Sequence, residues 1–194
     1  MNTAMENKLS IYNTLSKKKE LFETIEPNHV KMYCCGPTVY GLLHVGNFRG
    51  AIFYNLVRNW LEQLGYKVIF VYNYTDVDDK IIKRATEEGK TPTEISEKYI
   101  AEFEKDFNRL KLRKHDSNPR VTEHMDSIKS LIGDLIAKDK AYPAQGDVLY
   151  SIKKFSEYGK LSHRDPEQLR VGVRVGLQVD VDEKKNDPLD FALW

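Results

Sequence analysis

The sequence predicts an α/β protein built on a parallel sheet, followed after about residue 115 by a smaller α+β module. Three observations carry this. A strand pattern, a long helix pattern and a second strand pattern follow one another between residues 29 and 72, the order of a right-handed βαβ unit. Two further amphipathic helix patterns run from residue 91 to residue 136. After Lys140 the texture changes to short β-like runs and a stretch of strict alternation.

Each element has its own signal. Residues 29–35 read as a short buried strand, stopped by Gly36-Pro37, since neither residue suits a central strand. After a turn, Phe48, Ile52, Leu56, Val57, Trp60, Leu61 and Leu64 recur three and four apart, which predicts a helix with Gly65 at its C-cap. Residues 66–72 are aromatic and β-branched, the composition of a buried strand. An acidic turn, Thr75-Asp76-Val77-Asp78-Asp79, leads into a short helix ending near Gly89.

Thr91-Pro92-Thr93-Glu94 is a capping box with proline at the first helical position, and it opens a helix through Leu110. Asn118-Pro119 is expected to cap the next, whose apolar face holds Val121, Met125, Ile128, Leu131, Ile132, Leu135 and Ile136. Gly146-Asp147 between two short β-like runs predicts a hairpin. Val171, Val173, Val175, Leu177, Val179 and Val181 alternate with polar residues or glycine, the pattern of a half-buried strand or two. Residues 187–194 begin another apolar strand and end in a large aromatic. Termini are normally polar and exposed, so a truncated chain is expected.

Composition narrows the function classes. The 194 residues include 41% hydrophobic and 30% charged positions, ordinary for a globular protein. Thirty basic residues against 29 acidic give a net charge of +1. Nothing in that balance points to DNA, and a local basic face for RNA stays possible. The basic residues of 105–120 are interleaved with acids and read as a solvated helix face. Cys34 and Cys35 are adjacent and are the chain's two cysteines. No structural disulfide is expected, so the chain is read as cytoplasmic. No apolar run approaches membrane-spanning length, and no membrane partner is expected.

Cys35-Gly36-Pro37-Thr38-Val39-Tyr40 followed by His44-Val45-Gly46-Asn47 is the most informative stretch. It describes a strand, a tight turn and a helix N-terminus bearing histidine and glycine. A helix N-terminus offers backbone N–H groups and the positive end of the dipole, a site for a triphosphate. Gly46 removes a side chain where a ligand could approach, and His44 and Asn47 can both donate to phosphate oxygens. A capped helix with an incidental histidine fits the bare pattern as well. Cys35 alone reads as a small core residue, and Thr75 as a turn residue beside a capping Asp76 or Asp78. The run Asp76-Asp78-Asp79 is no calcium loop, because Ile81 stands where an EF-hand needs glycine.

The wider stretch closely resembles the signature of the cysteinyl-tRNA synthetases, a class I aminoacyl-tRNA synthetase family. Three more blocks match in the same order: Asn73 to Ile82, Tyr158-Gly159-Lys160-Leu161-Ser162, and Asp187 to Trp194. The resemblance implies a Rossmann-type domain split by a connective insertion. Residues 1–115 would be the first half of that catalytic domain, 116–186 the insertion and 187–194 the truncated start of the second half. It implies ATP-dependent ligation of cysteine to its tRNA through cysteinyl adenylate, with ATP and Mg²⁺ as substrate. Pro37, Thr38, Val39, Tyr40, His44, Gly46 and Asn47 map to ATP, with His44 and Asn47 as the catalytic pair. Cys35, Gly36 and Thr75 map to the amino acid.

Cys35 also maps to the first of four zinc ligands, the others being expected beyond Trp194. A soft metal suits the task, because sulfur and oxygen differ too little in shape for a pocket to separate cysteine from serine. The family's usual second histidine is Asn47 here, and its lysine-rich loop and anticodon-binding domain are absent from these residues. The fragment alone is therefore expected to be inactive. Two other readings remain: the cysteine ligase of mycothiol synthesis, which Pro37 and Val39 disfavour, and a non-catalytic synthetase-like binding module.

Overall fold

The computed structural model of the chain describes residues 9–164 and 184–194. Its elements in order are β1 (Ser10–Asn13), β2 (Lys18–Leu21), β3 (His29–Cys34), α1 (Val45–Gln63), β4 (Lys67–Tyr72), α2 (Asp79–Glu88), α3 (Pro92–Arg109), α4 (Met125–Ala137), β5 (Ala141–Ala144), β6 (Asp147–Tyr150) and β7 (Phe191–Ala192). The described residues fall into two compact units, one holding residues 23–125, the other residues 9–22, 126–164 and 184–194. The alternating run of Val171 to Val181 lies outside the described residues.

In the first unit β3 pairs in parallel with β4, His29 opposite Lys67 through Cys34 opposite Tyr72. The pairing continues past both strands as a bridge between Thr38 and Thr75. Residues 116–120 form a third parallel line on the other side of β4, through Val71–Ser117 and Tyr74–Arg120 bridges. Asn118 therefore does not cap a helix. Its side-chain amide donates to the Tyr72 carbonyl at 2.7 Å, and the next helical turn starts only at Thr122. A proline two residues from the bridge constrains the chain to extended geometry, and that geometry suited the sheet. The sheet is of Rossmann type, with α1 as the crossover between β3 and β4.

One face of that sheet is buried. Phe70, Tyr72 and Tyr74 point into a core with Phe48 and Ala51 of α1, and with Ile95, Tyr99, Ile100, Phe103 and Phe107 of α3. Phe103 lies at the centre, stacked on Phe48 at 5.4 Å and on Tyr72 at 6.0 Å. Ile69, on the opposite face of β4, is exposed, so the strand read as buried is buried on one face. The residue types suit both states, and only the presence of a second covering layer distinguishes them. Likewise α1 buries Phe48, Ala51, Arg58 and Leu61, while Ile52, Leu56 and Trp60 of the predicted stripe are exposed.

The helix ends follow their local chemistry. Thr91 accepts from Glu94 N–H at 3.2 Å and Glu94 accepts from Thr91 N–H at 2.8 Å, the predicted capping box. Gly89 closes α2 in the left-handed region. Glu88 ties α2 to α3 by accepting from Arg84, Lys90 and Lys98. Those hydrogen bonds, Arg84 first, hold its carboxyl down at about 2.

In the second unit β5, β6 and β7 form an antiparallel sheet in that order. The hairpin turn is Gln145-Gly146, at φ 50° and 94°, a pair of left-handed residues that matches the twist of a two-residue turn. Asp190 is 1% exposed and accepts from Ile152 N–H at 3.0 Å, Tyr142 O–H at 2.7 Å and Asp187 N–H at 3.2 Å. A buried carboxylate is tolerated there because its oxygens are satisfied. β1 and β2 form a separate antiparallel ribbon.

Candidate active site

The predicted site residues of the first unit gather at the carboxyl ends of β3 and β4, where ligands bind in open α/β sheets. Cys35 follows β3 directly and is exposed, whereas Cys34 is half-buried against the core. Successive strand residues face opposite ways. Burial, with neighbouring Cys35 adding to it, pushes the Cys34 thiol up.

The turn after β3 is locked to the turn after β4. Thr75 N–H donates to the Pro37 carbonyl at 3.1 Å, and Val39 N–H donates to the Thr75 carbonyl at 3.2 Å. Thr38 and Thr75 are thus direct neighbours. Gly36 is required by close approach: a Cβ there would lie 1.7 Å from the Asn73 carbonyl oxygen. Val39 is buried in the core, so its side chain faces away from solvent. Tyr40 is exposed, with Lys80 Nζ 5.4 Å from its ring centre.

His44 is the N-cap of α1. Gly46 N–H donates to its Nδ1 at 3.0 Å, and the Asn47 side-chain oxygen accepts from His44 N–H at 3.0 Å. The backbone N–H groups of His44 and Gly46 are therefore engaged within the cap, and do not wait free for an anion. The cap leaves the Val45 N–H at the first helical position, and adds two side-chain donors: Nε2–H of His44, whose Nδ1 is accepting, and the amide nitrogen of Asn47. Gly46 has a local reason as well. A Cβ at 46 would lie 2.8 Å from His44 Cε1, so glycine makes room for the histidine ring itself.

Two anchors were not legible as functional residues. Asn73 accepts from Gly36 N–H at 2.8 Å and from Tyr33 O–H at 2.9 Å. Asp76 is buried and accepts from the N–H and hydroxyl of Thr122, whereas Asp78 is the cap of α2, accepting from Lys80 N–H at 2.9 Å. A signal for Asn73 existed: an amide immediately after a parallel strand sits at the edge where such sheets place their ligands. For Asp76 the partner lies 46 residues away, and no local pattern announces it.

Among the described residues no group of three or more His, Cys, Asp and Glu side chains could hold a metal ion. Cys35 supplies a single thiol, and His29, His115, His124 and His163 do not join it. Among the described residues no helix is long and apolar enough to cross a membrane.

A parallel α/β sheet with a histidine-capped helix beside the carboxyl ends of its strands is a Rossmann-type nucleotide-binding arrangement. The family described as tRNA synthetases class I (C), catalytic domain, matches residues 21–194, and the chain belongs to it. It is 61% identical over 96% of its length to a cysteine–tRNA ligase of Bdellovibrio bacteriovorus, covering 38% of that protein. It is 52% identical to a cysteine–tRNA ligase of Staphylococcus aureus strain RF122 and 51% identical to one of Geobacillus sp. strain WCH70, covering 96% of this chain and 39% of each relative. The chain thus spans well under half the length of these relatives. A solved structure described as a putative arginyl-tRNA synthetase of Campylobacter jejuni aligns with TM-score 0.42 and 17% identity, over 68% of this chain and 39% of that one.

Proposed function

We propose that this chain is part of a cytoplasmic enzyme that joins cysteine to ATP as cysteinyl adenylate and passes the cysteinyl group to the 3′ end of its tRNA. The observation that carries the reading is the 61% identity, along 96% of the chain, to a cysteine–tRNA ligase. The geometry supports it: side-chain donors at the N-terminus of α1 and an exposed thiol after β3 lie at the same end of the sheet.

In this reading His44 Nε2–H and the Asn47 amide donate to the phosphates of Mg²⁺-bound ATP, alongside the 37–40 turn and Gly46. As the cysteine carboxylate attacks the α-phosphorus, negative charge grows on the phosphate oxygens. Donors already held in place stabilise it without reorganising. Thr75 and the Cys35-Gly36 turn face the amino acid. Cys35 is one zinc ligand of the full-length ligase, its companions coming from the part of the relatives' length that this chain does not span. The described residues do not make a metal site by themselves.

The domain reading goes with this: a first Rossmann half, a connective insertion, and the start of the second half near residue 187. The pairing of residues 116–120 with β4 supports drawing the first boundary after Arg120 in place of residue 115.

The experiment is cysteine-dependent ATP–pyrophosphate exchange and tRNA charging by a full-length ligase carrying these residues. Both activities are expected. Exchange with transfer to an amino sugar in place of tRNA would favour the mycothiol-type ligase, and absence of exchange would leave a binding module.

A further inference from the structure

Asn73 stands between the two halves of the amino-acid side of the site, yet has no assigned role. Its Oδ1 accepts from Gly36 N–H at 2.8 Å and from Tyr33 O–H at 2.9 Å. Its Nδ2 faces Thr75 Oγ1 at 3.5 Å. The orientation of the amide follows from chemistry, since a backbone N–H can only donate and the atom facing Gly36 must be the oxygen. The two turns are in contact at this point, as the missing Cβ of Gly36 attests. One planar group therefore bonds to the residue after Cys35 with one end and turns toward the Thr75 hydroxyl with the other.

The polarity of that contact has a consequence. A hydroxyl that accepts from an amide N–H keeps its own proton for another partner. A carboxylate of the same shape could still accept from Gly36 and Tyr33, but it would take the Thr75 proton as well. Among side chains of this size, only asparagine both holds the Gly36 turn and leaves Thr75 free to donate.

We propose that Asn73 is a positioning residue for the amino-acid substrate: it aims the Thr75 hydroxyl as a donor into the site and fixes the Cys35-Gly36 turn beside it. The proposal rests on the ligase reading, in which Thr75 and Cys35 face cysteine. Asn73 itself touches no reacting atom.

The test is steady-state ATP–pyrophosphate exchange by a full-length ligase carrying these residues, with cysteine and ATP varied separately. Asn73→Asp should raise KM for cysteine about tenfold, the size of one neutral hydrogen bond, with KM for ATP and kcat within about threefold. The double variant Asn73→Asp/Thr75→Val should be no worse than Thr75→Val alone, because both changes remove the same donated proton. Unchanged cysteine KM in Asn73→Asp, or losses that add, would overturn the proposal and leave Asn73 a structural clamp. Should Asn73→Asp fail to fold, Tyr33→Phe serves instead. Tyr33 is 64% exposed, so its hydroxyl can be removed without unfolding the chain. A rise in cysteine KM of about threefold is expected from a loosened amide, and no rise counts against the proposal. An unaltered ligase without cysteine-dependent exchange would sink the ligase reading and the proposal with it, a result distinct from normal exchange that Asn73→Asp leaves untouched.

Discussion

Single residues in this site are chosen by what they leave available. His44 accepts at Nδ1 and so keeps a donor at Nε2, and Gly46 is what lets the ring lie there. In a full-length ligase His44→Ala should cut cysteine-dependent exchange by about 100- to 1,000-fold, or about 3–4 kcal/mol, the cost of one preorganised donor to developing charge. The loss should fall on kcat with cysteine KM little changed. An intact kcat with weakened cysteine binding would place His44 in the amino-acid pocket. Gly46→Ala separates activity from folding. The new Cβ, 2.8 Å from His44 Cε1, pushes the ring out of place, while alanine is the better helix former. Exchange should fall at least about tenfold with an unchanged or raised melting temperature. A parallel fall in melting temperature would show that backbone, and not the ring, had moved.

Elements carry the next level of control, and the third line of the parallel sheet has a pH-dependent anchor. His115 stacks on Tyr72 at 4.5 Å, meets Phe70 and Phe107 edge-on or tilted at 4.9 Å, and accepts at Nδ1 from the Asn118 amide at 3.1 Å. Burial, and then the nearby Arg58 charge, push its pKa down to about 4 from 6.5; Asn118 and Asp116 act the other way. The unfolded chain takes up this proton near pH 6.5, whereas the folded chain resists until about pH 4. Stability from His115 is therefore complete above about pH 6.5 and is lost as pH falls toward 4. The upper limit is about 3 kcal/mol, reduced to roughly 2 by partial solvent access. Urea unfolding at pH 7.5 and pH 4.5 should show the loss. His115→Phe, which keeps the ring contacts without a titrating nitrogen, should flatten that part of the profile. An equally steep profile in the variant would assign the effect to other groups.

At the scale of the whole molecule, the described residues supply one exposed thiol at the site and no metal cluster. A polypeptide of residues 1–194 should therefore not retain stoichiometric zinc through dialysis, since one thiolate cannot supply a tetrahedral shell. In a full-length ligase Cys35→Ser should lose zinc, whereas Cys34→Ser, altering a half-buried residue packed against the core, should keep it. Metal analysis of the two variants decides this, and equal zinc loss from both would contradict the assignment of Cys35 alone. Apolar surface is also left open on this unit, at Ile69 on the sheet and at Ile52, Phe53, Leu56 and Trp60 on α1.

Local chemistry was enough to read β3, β4, the β5–β6 hairpin, the helices and most of their ends, whereas the β1–β2 ribbon carried no such signal. The capping box at Thr91, the stop at Gly89 and the left-handed turn at Gln145-Gly146 are settled within four residues of chain. The motif from Cys35 to Asn47 also pointed to the candidate site, because a strand, a tight turn and a histidine-capped helix are contiguous. What the sequence could not determine is which groups those residues spend on one another. The capping N–H groups of His44 and Gly46 are consumed inside the turn, Asn73 is claimed by Gly36 and Tyr33 from another strand, and Asp76 by Thr122. Residues 116–120 became part of the sheet because β4 had unpaired backbone groups to offer, a demand that arises only once the strands are side by side. Periodicity and caps act over a few residues and are written in the chain. Hydrogen-bond partners and the second face of a sheet are decided by segments far apart in sequence, and so by tertiary structure alone.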